Sequence, residues 1–317
     1  MATPPATPDD ASPHAARLEE ITPGVHAWIQ PDGSWWINNA GAVTDTTGTI
    51  VIDTCATEER TRRFLTTLTT ATGGAPLHTA VNTHHHGDHT YGNSLLPATT
   101  TIIGHEHMRR SLLADTFLAH PSPYWQPAPS WGDLTLRPPT RTIRDELVLT
   151  AGRTRVELHH PGASVHTGGD LVVWLPRQRV LFTGDLLFHR VTPMIASGTA
   201  TGALRGLNWL STFPARHVIP GHGRPIDAAD LPRVIADHER YYRLVLHTAH
   251  NGVRRGLTPL QAALDCDLAE FATWTDSERI VINLHRVYTE LTRSPYDTRH
   301  ALADTLVYNG GPLHTSV

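Results

Sequence analysis

At 317 residues, with 39% hydrophobic and 18% charged side chains, the chain is long enough to bury one α/β core that carries appendages. A net charge of −4 offers no basic face for nucleic acid, and no run reaches the roughly 18 apolar residues of a membrane span. All 26 Lys/Arg positions are arginine, which removes lysine Schiff-base chemistry, and two cysteines, Cys55 and Cys266, are too few for a disulfide-stapled domain and fit a reducing cytoplasm.

Met1 to Pro13 lacks the positive and apolar regions of an export signal, and residues 1–18 read as a disordered tail, with order beginning near Ile21. Strand patterns follow at Val25–Ile29, Trp36–Val43 and Thr49–Asp53. Phe64, Leu65 and Leu68 place a helix over Glu58–Thr70 that Gly73-Gly74 ends. A strand at Leu77–Asn82 runs into a histidine cluster, and a strand at Thr100–Ile103 and a helix at His105–Ala114 come next.

Residues 115–141 lack periodicity and are rich in proline and aromatics, the pattern of a lid insertion. Beyond it lie strands at Thr142–Leu149, Thr154–His160, Leu171–Leu175 and Val180–Thr183, a helix near Ala203–Thr212 and a strand at His217–Ile219. The remainder is helical, with long candidates at Leu231–Val253 and Ser277–Tyr288. The expected organisation is a tail, a core over 19–226 and a helical extension over 227–317 whose long helix makes a homodimer possible.

The chemistry concentrates in Asn82-Thr83-His84-His85-His86-Gly87-Asp88-His89, an HxHxDH arrangement. Imidazole nitrogen and carboxylate oxygen are ligands for zinc and its first-row neighbours. In an extended or looped stretch His84 and His86 point the same way and reach one ion, while Asp88 and His89 reach a second. A purification-tag relic would be terminal and uninterrupted, whereas this cluster follows a strand and contains an aspartate.

Through this motif the sequence resembles the metallo-β-lactamase superfamily. The resemblance implies an αββα sandwich and three further ligands in order: His166 in His166-Thr167-Gly168-Gly169-Asp170, Asp185 in Thr183-Gly184-Asp185, and His222 in Pro220-Gly221-His222-Gly223. It assigns His84, His86 and His166 to one metal, Asp88, His89 and His222 to the other, and Asp185 to both. His159 or His160 could replace His166, although the residues around His166 favour it. Two Zn(2+) ions are the expected cofactors, with iron or manganese able to occupy the same groups, and a hydroxide between them is the expected nucleophile, which makes Asp88 and Asp185 the catalytic carboxylates. Asp53 reads as a carboxylate that orients ligands, and His85 as a non-ligand.

Trp35 and Trp36, between the first strands, together with Tyr124, Trp125 and Trp131 of the lid, His189 and Met194, are candidate substrate contacts around a broad apolar pocket. A narrower resemblance, carried by Val25–Gly33, Asn82–Asn93 and Asn283-Leu284-His285-Arg286, is to the aromatic polyketide cyclase-thioesterases of the actinorhodin type. It implies a carrier-bound poly-β-keto thioester as substrate and an acyl carrier protein as partner. The alternatives are a general hydrolase of small thioesters, lactones or β-lactams, and a non-catalytic metal-binding scaffold.

Overall fold

The structure is a computed structural model that describes residues 15–120 and 123–317; most of the expected tail lies outside the described residues. Two sheets form the centre. The first comprises β1 (Arg17–Thr22), β2 (Val25–Ile29), β3 (Ala40–Asp45), β4 (Gly48–Ile52), β5 (Leu77–Val81), β6 (Thr101–His105) and β7 (Arg141–Ile143), side by side in chain order. The second comprises β8 (Glu146–Ala151), β9 (Thr154–His159), β10 (Val172–Leu175), β11 (Val180–His189), β12 (His217–Gly223) and β13 (Ile226–Asp227), also in chain order across the sheet.

Strand alternation decides which side chains meet between the sheets. Val25, Ala27, Ile29, Ile50 and Ile52 of the first sheet pack against Val156, Leu158, Val173, Leu175 and Phe182 of the second in one buried cluster. The opposite face of the first sheet, with Trp28, Ala42 and Val51, is covered by α1 (Glu58–Ala71) through Phe64 and Leu68. Short helices α2 (Gly87–Thr90) and α3 (Glu106–Leu113) follow β5 and β6. The outer face of the second sheet, with Val172, Trp174 and Leu181, is covered by α4 (Ala200–Leu210), α5 (Leu231–Arg255), α6 (Pro259–Leu264) and α7 (Arg279–Thr292). The layers are therefore helix, sheet, sheet, helix, and α8 (Thr298–Asn309) packs on α7.

Three expectations need correction. Residues 17 and 18, read as tail, lie in β1, an edge strand whose Arg17, Glu19 and Glu20 look like a solvated segment but discourage pairing with other chains. Trp36 is not in a strand: its φ is 68°, and Asn38 and Asn39 bond to the carbonyls of Thr54, Pro220 and Gly223 rather than to a ladder. The run Thr142–Leu149 is two strands, β7 and β8, at which the chain crosses from one sheet to the other. Residues 298–309, inside the expected helical extension, form a helix of their own.

No helix among the described residues is long and apolar enough to cross a membrane. Phe64 is fully buried, with its ring 5.7 Å from that of Trp28. Phe64→Ala is expected to cost about 3–5 kcal/mol through lost burial and an unfilled cavity, read from the urea midpoint; a loss below about 1 kcal/mol would show that α1 is not anchored by this contact.

Candidate metal centre

The site forms where strands of both sheets end at one rim. The segment after β5 and the start of α2 supply His84, His86, Asp88 and His89; the β9–β10 connection supplies His166; β11 supplies Asp185 and β12 supplies His222. The potential ligand atoms fall into two groups, His84, His86, His166 and Asp185, and Asp88, His89 and His222, with separations inside each group of at most 4.8 Å. Asp185 serves both, since its Oδ2 lies 3.3 Å from His166 Nε2 and 3.4 Å from His222 Nε2, while its Oδ1 lies 3.1 Å from His89 Nε2.

Two glycines make this approach possible. A Cβ at Gly221 would overlap Asp185 Oδ1, and Gly184, with φ 50°, would press a Cβ into Thr83. A larger residue at Gly221 would push Asp185 out of the cluster, and one at Gly184 would displace Thr83, which links Asp53 to His84.

The outward nitrogens of the imidazoles are engaged, which sets the inward ones. Asp53 accepts from Thr83 N and Thr83 Oγ1 at 2.7 Å and from His89 Nδ1 at 2.8 Å. Because Thr83 Oγ1 donates to Asp53, it accepts from His84 Nδ1 at 3.0 Å. His166 Nδ1 donates to the Met194 carbonyl at 2.6 Å, and His222 Nδ1 to the Gly33 carbonyl at 3.0 Å. The Nε2 atoms of all four rings consequently face the centre, and His86 turns its Nδ1 inward. Hydrogen bonds of this kind hold metal-ligating histidines in the right tautomer.

This arrangement fits a pair of cations. His89 Nε2 and Asp185 Oδ1 are buried without a hydrogen-bond partner although they face each other, and three inward nitrogens of His84, His86 and His166 crowd together at 2.8–3.2 Å. Buried acceptors that confront one another call for a positive charge between them, either a cation or, in the metal-free protein, the protons that His89 and His222 take up. Burial pushes the Asp185 carboxyl up, but His222, His89, His166 and His84 outweigh it and hold the group well below its ordinary range. Burial lowers His222, yet Asp185 and Asp88 prevail and raise it to about 9; His89 is lifted well above its ordinary value by the same carboxylates and Asp53. Burial and neighbouring histidines hold His84 and His86 well below theirs, so both are neutral ligands at pH 7.

The centre opens on a cavity of about 590 Å³. Of the expected substrate contacts, Trp35, Trp36, Tyr124, Trp125 and Met194 line it. Trp131 does not: its ring packs 4.7 Å from that of Trp36 and braces it from behind. His189 is also elsewhere, donating from Nδ1 to the Arg224 carbonyl. His85, read as a non-ligand, joins neither ligand group but lines the cavity, and burial lowers its pKa to about 4. His159 and His160 stay outside the ligand groups as well, held by Glu157 and the Asp170 carbonyl.

Several supporting residues went unassigned in the sequence. Asp170, fully buried, accepts from the backbone of His166 and Thr167 and from Thr167 Oγ1, fixing the His166 turn. Asn39 brackets His222 by donating to the carbonyls of Pro220 and Gly223. Tyr91 and Asp115, joined by a hydrogen bond of 3.0 Å, and Arg279 also line the cavity. Asp170 lies within the His166 motif and was within reach; paired asparagines inside an expected strand were the available signal for Asn39.

Among solved structures, a metallo-β-lactamase from Pontibacter korlensis aligns with a TM-score of 0.58 and 20% identity, covering 71% of this chain and 99% of its own. The stereoselective inverting sec-alkylsulfatase Pisa1 from Pseudomonas sp. aligns with a TM-score of 0.69 and 19% identity, covering 93% of this chain and 55% of its own; that coverage is too large to omit the C-terminal helices. In sequence, the chain is 28% identical over 219 residues to the 2,4-dinitroanisole O-demethylase subunit alpha of Nocardioides sp. (strain JS1661), covering 66% of this chain. The chain spans 56% of that relative's length.

Cation uptake should displace the protons that His89 and His222 hold at pH 7. Loading the metal-free protein at pH 7 in dilute buffer with an indicator dye is expected to release on the order of two protons. Release should fall as pH rises through about 9, the His222 value; uptake without proton release would contradict the electrostatics. All seven residues of the two groups lie inside residues 33–222, the segment matched by the model of the metallo-beta-lactamase superfamily, and with more than half its length so matched, the chain belongs to that superfamily.

Proposed function

We propose that the protein is a dinuclear, zinc-dependent hydrolase acting on an ester, thioester or activated ether whose body is apolar, aliphatic or aromatic. The observation that carries this reading is the opening of the two-cluster centre onto a cavity walled by Trp35, Trp36, Tyr124 and Trp125. Two cations bound there would supply Lewis acidity to the scissile group and lower the pKa of a water held between them.

The chain's own residues perform the rest. Asp185 and Asp88 neutralise and separate the two sites, with Asp88 Oδ2 3.2 Å from His222 Nε2. Trp36 and Trp125, with ring centroids 5.2 Å apart and planes at 72°, offer an edge and a face to a planar substrate. The apolar wall excludes water from one side of the substrate and so directs the reacting bond toward the centre. The phenol of Tyr91 donates to the Asp115 carboxylate in the cavity wall, which also accepts from Phe117 N, so that the pair fixes the shape of that wall.

The names of the two relatives support a substrate of this kind: one is named for O-demethylation of a nitroaryl ether and the other for hydrolysis of secondary alkyl sulfates. The polyketide cyclase-thioesterase reading shares the aromatic cavity. Its C-terminal signature, however, is structural here: Asn283 and His285 are not among the cavity residues, and His285 pairs with Asp304 at 2.8 Å.

The test is turnover by zinc-loaded protein of four substrates: a nitroaryl methyl ether, a secondary alkyl sulfate, an aryl thioester and a β-lactam. Turnover of at least one of the first three is expected, with Trp36→Ala raising KM about tenfold while kcat changes little, and His166→Ala lowering kcat/KM by about a hundredfold or more. Two-metal protein that leaves all three untouched, or acts on the β-lactam alone, would overturn the proposal. An aryl thioester preferred over the others would favour the cyclase-thioesterase reading within it.

A further inference from the structure

We infer that Asn283, on helix α7 of the C-terminal extension, is a positioning residue for the first metal site, acting on His166 through the backbone of the Thr192–Ile195 loop. The inference rests on the reading that the His84, His86 and His166 group takes a metal ion.

Asn283 is fully buried and its amide clamps both sides of one residue. Its Nδ2 donates to the Pro193 carbonyl at 2.8 Å, and its Oδ1 accepts from Ile195 N at 2.9 Å. The residue between those two peptide groups is Met194, whose carbonyl is thereby turned the other way, where it accepts from His166 Nδ1 at 2.6 Å. The second Nδ2 proton goes to Tyr241 Oη at 2.8 Å, on helix α5. One turn before Asn283, Arg279 donates from Nη1 to the Thr192 carbonyl at 3.0 Å. The same loop continues to Ser197, whose hydroxyl lies 3.4 Å from His86 Nε2.

The chemistry demanded of position 283 is narrow. A side chain there must present an acceptor and two donors in one plane, one donor more than a peptide group has, and among small residues only asparagine has that set. Aspartate would place an oxygen against the Pro193 carbonyl and lose both donors. Since the site is buried, water has no route to replace the lost bonds, and the loop must shift to relieve the clash. A shift of the Met194 carbonyl removes the acceptor that keeps the His166 Nε2 lone pair aimed inward. The metal site of the core is, in this account, completed by a helix outside it.

The experiment compares wild-type, Asn283→Asp, Tyr241→Phe and His166→Ala holoproteins by chelator competition, with thermal unfolding as the check on folding. Wild-type protein is expected to hold two metals. Asn283→Asp should weaken one of them by about tenfold or more while the other keeps its affinity, and combining it with His166→Ala should add no further loss beyond His166→Ala alone. Tyr241→Phe should weaken the same metal by a smaller factor. Wild-type affinities in folded Asn283→Asp, equal loss of both metals, or full additivity with His166→Ala would overturn the inference. Should Asn283→Asp fail to fold, Tyr241→Phe decides: selective weakening of one metal supports the inference and unchanged affinities overturn it. A wild-type protein that takes up no metal would be a different failure, that of the metal reading itself.

Discussion

The structure depends on holding a buried carboxylate, Asp185, among the inward nitrogens of several imidazoles. Each partner alone would be costly to bury; together they are a cradle for positive charge. The two sheets bring them together because the segment that follows β5, in one sheet, meets β11 of the other and delivers His84 and Asp185 within reach of each other. The hydrophobic layer between the sheets matters to function by fixing that rim.

Hydrogen bonds behind the imidazoles convert proximity into fixed orientation. Asp53 controls His89 directly and His84 through the Thr83 hydroxyl, so one carboxylate orients a ligand on each side of the centre. Asp170 and Asn39 do comparable work for the turns that carry His166 and His222. The cavity is a joint construction. Trp35 and Trp36 come from the turn after β2, Tyr124 and Trp125 from the long connection after α3, and Ile282 and Leu302 from α7 and α8. Trp125 and Leu313 form a bridge between that connection and the C-terminal segment, which ties the aromatic wall to the helical extension.

The residues that meet at the centre were legible in the sequence because metal-binding groups must be particular residue types, and His84, His86, Asp88 and His89 crowd into one short segment. The layered fold came from the family resemblance those residues carry; the strand and helix patterns agree with it but do not by themselves dictate how two sheets stack. What stayed hidden depends on distant partners. Trp131 and Trp36 both read as pocket aromatics, and only their mutual packing shows that one lines the cavity while the other supports it. His189 lies four residues beyond Asp185, yet the strand continues through it and carries its ring to Arg224. Asn283 looked like part of a family signature, while its role comes from the carbonyl and amide it meets on a loop some ninety residues earlier.

The most direct test of the central claim is X-ray absorption at the zinc edge on protein loaded to saturation. The account predicts two zinc ions per chain, ligated by nitrogen and oxygen alone, with a zinc–zinc separation of about 3.5–4 Å. A single zinc per chain, or sulfur in its coordination shell, would contradict it.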